Sequence, residues 1–259
     1  MTASRTAAFL PFAVAATLLL LIMIAPIVVT LAVLSPREVV STFAEQPAQA
    51  AMITSIAASL CAALLATILG VPAAFGLTHA APWLRNVVLG ALALPLAFPP
   101  IASGIMLLGT IGTRTPFGAF LAEHGIRFID SIAGVALAEF FVAGSFVVIT
   151  AAASFAAIDP IYEEGARTLG AGPTRVFFHI ALPLAAPGIL AGMLLAWMRA
   201  IGEYGATSIV AYHPASLPIQ LYVALSAQGV RAALALAYGF ILLAALIVAL
   251  QWAIRRRMV

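Results

Sequence analysis

The chain has no lysine, a single cysteine and very little charge. Twelve arginines and nine acidic residues in 259 positions make charged side chains only 8% of the sequence. An ordinary soluble domain carries about 25%. So few charges cannot wet a globular surface, and a soluble domain is excluded. Cys61 has no second cysteine to pair with, and there is no CxxC pair for a metal or a redox couple. It sits in an apolar run and is expected as a small buried hydrophobe. No basic stripe with interleaved aromatics is present, which excludes a nucleic-acid surface. The phosphate loop GxxxxGK[ST] is missing, as it must be without lysine, so the chain itself is expected to bind no nucleotide. HExxH, GxSxG and paired-aspartate patterns are missing too, which argues against an intramembrane enzyme.

What the chain has is long apolar sequence, 64% hydrophobic overall. A transmembrane helix needs roughly 20 apolar residues. Six runs qualify: about 9–34, 51–78, 84–112, 132–158, 181–211 and 232–254. They are continuous, unlike the alternating segments of about 10 residues in a membrane β-barrel. The first is longer than the roughly 7–15 apolar residues of a signal peptide and is expected to be a retained helix. The expected fold is all-α: one polytopic membrane domain over residues 1–259, with six transmembrane helices. No fixed-period repeat divides the chain, and no soluble regulatory domain is expected after the sixth run.

Six spans place both termini on one side. That side holds Arg5, Arg85, Arg167, Arg175 and the run Arg255-Arg256-Arg257. The other holds Arg37, Arg114, Arg127 and Arg231, offset by Glu38, Glu45, Glu123 and Asp130. The arginine excess assigns the first side, with both termini, to the cytoplasm. The connection at 113–131 is long enough for a short helix on the opposite surface.

One polar island lies on the cytoplasmic side. Asp159 is a good N-cap and Pro160 suits the first helical position. Gly170 and Gly172 are natural stops. A helix within about 159–172 places Ile161, Tyr162, Gly165, Ala166 and Leu169 on one arc, with Glu163, Glu164, Arg167 and Thr168 on the other. Glu163 precedes Arg167 by four residues, the favourable order for a helical ion pair. Such a segment is either an interfacial connector or a docking helix whose small residues let a partner approach closely.

The island reads Glu164-Gly165-Ala166, three residues, Gly170, nine residues, then Ile180-Ala181-Leu182-Pro183, with His179 inside the nine. This pattern resembles the cytoplasmic coupling motif of bacterial ABC importer permeases, EAA-x3-G-x9-I-x-LP, with Gly165 as the one departure. Glycine for alanine lowers helix propensity by about 1 kcal/mol and keeps the position small. Three further segments narrow the resemblance: the proline-rich Leu94 to Gly104, Thr115-Pro116-Phe117-Gly118, and Arg199-Ala200-Ile201-Gly202-Glu203-Tyr204-Gly205-Ala206-Thr207. Together they are similar to the permeases of molybdate/tungstate importers, with sulfate/thiosulfate permeases as near relatives, over roughly residues 50 to 250. One departure is Glu139, where relatives tend to carry an uncharged residue and a nearby proline.

The resemblance implies a type I ABC importer permease fold and uptake of a small oxyanion by alternating access. It implies that Glu164, Gly165, Ala166 and Gly170 lie at or near a joint with a separate ATPase subunit, flanked by Glu163 and Arg167. ATP and Mg would belong to that subunit, and this chain would hold no cofactor and no metal. The implied partners are a second copy of the chain, two cytoplasmic ATPases, an extracytoplasmic solute-binding protein and the bilayer of a bacterial or archaeal inner membrane. A sulfate or other small-solute permease, or an ATP-independent channel, are the alternatives.

Three ionisable residues fall within apolar runs: Glu139, Arg199 and Glu203. Each costs at least about 2.5–3.5 kcal/mol near a bilayer centre on insertion scales. Arg199 and Glu203 share a helix face. They form either a structural pair or part of an anion route in which Arg199 supplies positive charge, and Glu139 is an alternative partner for Arg199. Ser103, Thr110, Ser145 and Thr207 offer hydroxyls to an anion. Pro95, Pro99 and Pro100 break the third run, either for packing or because that backbone lines a cavity. The expected route residues are Pro99, Pro100, Ser103, Glu139, Arg199, Glu203 and Thr207.

Overall fold

The computed structural model describes residues 2–258, with side chains for residues 12–252. The side chains of Arg5 and of the Arg255-Arg256-Arg257 run lie outside the described residues. The chain is helical throughout, with no strand among the described residues. In order, the helices are α1 (Thr2–Val33), α2 (Pro36–Ala44), α3 (Gln46–Thr78), α4 (Pro82–Ala97), α5 (Pro100–Ile111), α6 (Pro116–Glu123), α7 (Ile132–Ala156), α8 (Pro160–Thr168), α9 (Pro173–Val176), α10 (Leu182–Ile201), α11 (Gly205–Val210), α12 (Leu217–Gln228) and α13 (Val230–Met258). A π-helical turn, Phe177–Ala181, joins α9 to α10.

Among the described residues, five helical segments are long and apolar enough to cross a membrane: Phe12–Val33, Gln46–Thr78, Ile132–Ala156, Pro173–Ile201 and Val230–Trp252. The third expected span differs from the sequence reading. Residues 84–112 form two helices, α4 and α5, bent by 112°. The cause is Pro99-Pro100. A residue before proline is pushed out of the helical region, and both Phe98 (ψ 139°) and Pro99 (ψ 136°) are extended. The run expected at 181–211 also divides. Its helix ends at Ile201, and α11 restarts at Gly205. Helix α12 falls in a stretch that the apolar runs left unassigned.

The core is a seam of small side chains. On α3, Ala58, Ala62, Ala66 and Ala74 are buried; on α7, Ala138, Ala143 and Ala151; on α10, Ala185, Ala196 and Ala200. Close approach replaces the hydrophobic drive that lipid does not supply between helices. A side chain at Gly188 or Gly192 would run into Ser154 or Thr150 of α7. Two buried hydrogen bonds lock this seam to its neighbours. Trp197 Nε1 of α10 donates to Ser59 Oγ of α3 at 2.9 Å, and the Leu217 amide of α12 donates to Ser55 Oγ at 2.7 Å. Cys61 departs from expectation and is exposed. The inner face of α3 is taken by Ala58, Ala62 and Ala66, which turns Cys61 outward.

The two ends of the bundle carry different polar contacts. At one, Ser35 and Glu38 form a capping box at the start of α2, and Arg231 of α13 reaches Glu38 Oε1 at 2.7 Å. Asp130 Oδ1 accepts from the Tyr212 amide at 3.1 Å near this end. The opposite end carries His79, Arg85 and α8.

Candidate docking helix and buried ion pair

Helix α8 is short because both its ends are written into the chain. Asp159 Oδ1 accepts from the Ile161 amide at 3.0 Å, and Pro160 fills the first turn. Gly170 has φ +83°, a left-handed conformation that ends the helix. Gly172 then caps α9. Ile180 and Ala181 lie in the π turn, where the Leu182 amide bonds to Phe177 O. Pro183 follows with no amide proton, so the regular ladder cannot resume through it.

The faces of α8 differ in part from the expected wheel. Ile161, Tyr162 and Leu169 are 66%, 56% and 89% exposed. A side chain added at Gly165 would meet nothing within 4 Å. This apolar arc points away from the bundle. Ala166, placed on it by the wheel, is half-buried, and so is Glu163, placed on the polar side. Glu163 Oε2 accepts from His79 Nε2 at 2.7 Å and from Arg167 Nη2 at 3.2 Å. Glu164 is exposed. The His79 contact joins residues 84 positions apart, so no local pattern could reveal it.

The second cluster forms where α10 breaks. Arg199 Nη1 and Glu203 Oε2 are 2.7 Å apart, with the arginine side chain 33% exposed and the glutamate buried. The other carboxylate oxygen, Oε1, accepts from the Ala206 amide at 2.8 Å, the first turn of α11. Both oxygens of Glu203 are thereby satisfied, and the run from Arg199 to Ala206 acquires a structural reason. A Cβ at Gly205 would stand 2.6 Å from Pro100 Cβ, and one at Gly104 would stand 2.9 Å from Ala206 Cα. The broken third span and the broken fifth span therefore meet through glycine.

Glu139 takes no part in the pair. It is fully buried, and neither carboxyl oxygen has a hydrogen-bond partner among the described residues. Ser103 Oγ is likewise buried without a partner. The other hydroxyls considered as anion donors are committed elsewhere: Thr207 to Glu203 O at 2.9 Å, Thr110 to Met106 O at 2.9 Å, and Ser145 to Leu92 O. Pro99 and Pro100 are exposed at the bend beside this cluster.

A helical bundle with broken spans meeting over a buried ion pair, and a polar helix set apart at one end, is the architecture of a membrane permease. Residues 66–259 match the family described as binding-protein-dependent transport system inner membrane component, and the chain belongs to that family. It is 36% identical over 84% of its length, and 80% of the relative's, to a probable molybdenum ABC transporter permease protein of Haloferax volcanii. It is 32% identical to the molybdate/tungstate transport system permease protein WtpB of Pyrococcus abyssi, over 85% of each chain. In fold it is similar to a bacterial ABC transporter involved in the import of the acidic polysaccharide alginate, with a TM-score of 0.76 at 17% identity over 98% of this chain and 96% of that one. An inward-facing MetNI methionine ABC transporter matches with a TM-score of 0.64 at 16% identity, over 81% of this chain and 94% of that one. The chain is thus a multi-pass permease subunit of an ABC importer.

Proposed function

We propose that this permease carries molybdate or tungstate inward, driven by ATP hydrolysis on two separate ATPase subunits. The observation that carries the ATPase reading is the outward arc of α8. Three large apolar side chains and an open glycine stand on a short polar helix, a surface that calls for a partner. The coupling pattern from Glu164 to Pro183 falls on the same segment. The names of the relatives support the oxyanion. The working unit is a homodimer, with both termini and α8 on the cytoplasmic side and a solute-binding protein docking on the other. ATP and Mg stay on the ATPase, and this chain holds no cofactor.

In this mechanism Glu164, Gly165, Ala166 and Gly170 sit in or beside the ATPase cleft, with Glu163 and Arg167 at its edge. ATP closes the ATPase pair and draws the two α8 helices together. The bundle above passes from inward- to outward-open. The anion's route runs past the bend at Pro99 and Pro100, where Ser103, Glu139, Arg199, Glu203 and Thr207 gather. Arg199 offers the oxyanion a planar, permanently charged donor. Glu203 neutralises it between transits.

Glu164→Arg is expected to end ATPase copurification and uptake while the protein still inserts. Unchanged uptake in that variant overturns the coupling role. Uptake of labelled molybdate, competed with tungstate and with sulfate, tests the substrate. Stronger competition by sulfate replaces the molybdate reading with its sulfate alternative.

A further inference from the structure

Helix α8 is held to the bundle by its two chain connections and by very little else. Among the described residues, His79–Glu163 is the one side-chain hydrogen bond or ion pair between α8 and a spanning helix. His79 caps the C-terminus of α3, the helix whose alanines form the central seam with α7 and α10. Its ring is also fixed from behind, with its centroid 4.7 Å from that of Phe75.

The contacts of the ring fix its place. Nε2 faces the Glu163 carboxylate at 2.7 Å. Nδ1 faces Phe75 O at 3.0 Å and Thr78 Oγ1 at 3.2 Å. One edge of the ring thus meets α8 while the other is anchored to the last turn of α3.

The surroundings are polar and open to water. A recess of about 330 Å³ beside the ring is lined by Glu163, Glu164 and Arg167 of α8 and by Arg85 of α4. The end of α7 contributes Phe155, Ala156 and Ile158 to it, none of which titrates. On the far side of the ring, Arg167 recurs beside Ala171 and Pro173.

We infer that His79 is a positioning residue for energy coupling: it forms a strut from α8 to the end of α3, carrying displacement of α8 into the spanning seam. This inference rests on the reading of α8 as the ATPase joint. It adds a load path through one side chain at that face of the membrane.

The test uses the reconstituted complex of permease, ATPase and binding protein, and measures molybdate taken up per ATP hydrolysed. His79→Ala is expected to bind the ATPase and to lower the ratio at least about fivefold, the low limit of ordinary coupling between sites. His79→Gln keeps a donor for the Glu163 carboxylate and is expected to restore most of the ratio. A His79→Ala complex that couples like the wild type overturns the strut. So does a His79→Gln complex that couples no better than His79→Ala. Glu163→Ala removes the same contact from its other end, and unchanged coupling in that complex overturns the strut even if His79→Ala fails to assemble. A wild-type chain that binds no ATPase overturns the underlying reading of α8, a failure distinct from variants that bind the ATPase and couple normally.

Discussion

Two glutamate–arginine pairs at four-residue spacing occupy opposite settings in this molecule. Glu163–Arg167 lies on α8, 3.2 Å apart, with the arginine largely exposed. Arg199–Glu203 spans the break between α10 and α11, 2.7 Å apart, with the glutamate sealed from solvent. The first pair leaves its helix surface open. The second closes a helix end and helps hold α11 against α5. Equal spacing in sequence thus carries unequal weight. An exposed pair contributes about 0–1 kcal/mol, whereas removing one member of a buried pair costs about 3–5 kcal/mol.

The comparison is broken most directly at Glu203. Glu203→Ala leaves Arg199 unpaired and the Ala206 amide without its acceptor. A loss near the lower limit, about 3 kcal/mol, is expected because Arg199 is partly exposed. It is measured as the unfolding midpoint in detergent, and a loss below that of an exposed pair would erase the distinction drawn here. Gly205→Val attacks the same joint by bulk. Its new carbon would press on Pro100 and on the Ile101 amide, at about 1–3 kcal/mol. Glu139→Gln sharpens the contrast between neighbouring glutamates. Among the described residues Glu139 accepts no hydrogen bond, so its replacement is expected to shift stability by no more than about 1 kcal/mol. A drop as large as that of Glu203→Ala would give Glu139 a structural role. Arg167→Ala is expected to cost only about 0.3–0.5 kcal/mol, as for other exposed helical pairs.

The smallest effect concerns pH at the other end of the bundle. The Ser35 amide, then the Arg231 guanidinium and the Ser35 hydroxyl, lower the Glu38 carboxyl from 4.5 to about 2. Its folded-state value lies below its unfolded one, so this contribution is complete above about pH 4.5 and fades as pH falls toward 2. Melting curves of the wild type and Glu38→Gln are expected to differ at neutral pH and to converge in acid. A gap that persists at the acid limit would assign the difference to something other than the carboxylate charge.

Much of the fold was legible in the sequence because apolar length is a direct readout of bilayer thickness. The ends of α8 were legible for a local reason: Asp159, Pro160 and Gly170 each act within one turn. The direction in which Glu163 points was not legible, because His79 fixes it from another helix. The bend at Pro99-Pro100 could be read as a broken span, but its 112° angle depends on what α5 packs against. Helix α12 escaped notice because a helix of 12 residues is too short for a spanning pattern, and its Leu217 packs with apolar residues of α3, α10 and α13 instead. Spacing put Arg199 and Glu203 on one helix face but left Glu139 open as the arginine's partner, and the contact geometry decides between them. That Glu139 has no hydrogen-bond partner among the described residues could come only from three dimensions.

The seam of alanine and glycine between α3, α7 and α10 has a mechanical corollary. Its notches are filled: Ser154 and Thr150 of α7 occupy the space that side chains at Gly188 and Gly192 of α10 would take. Helices keyed in this way resist sliding past one another, so α7 and α10 are expected to shift as one piece when the transporter changes state.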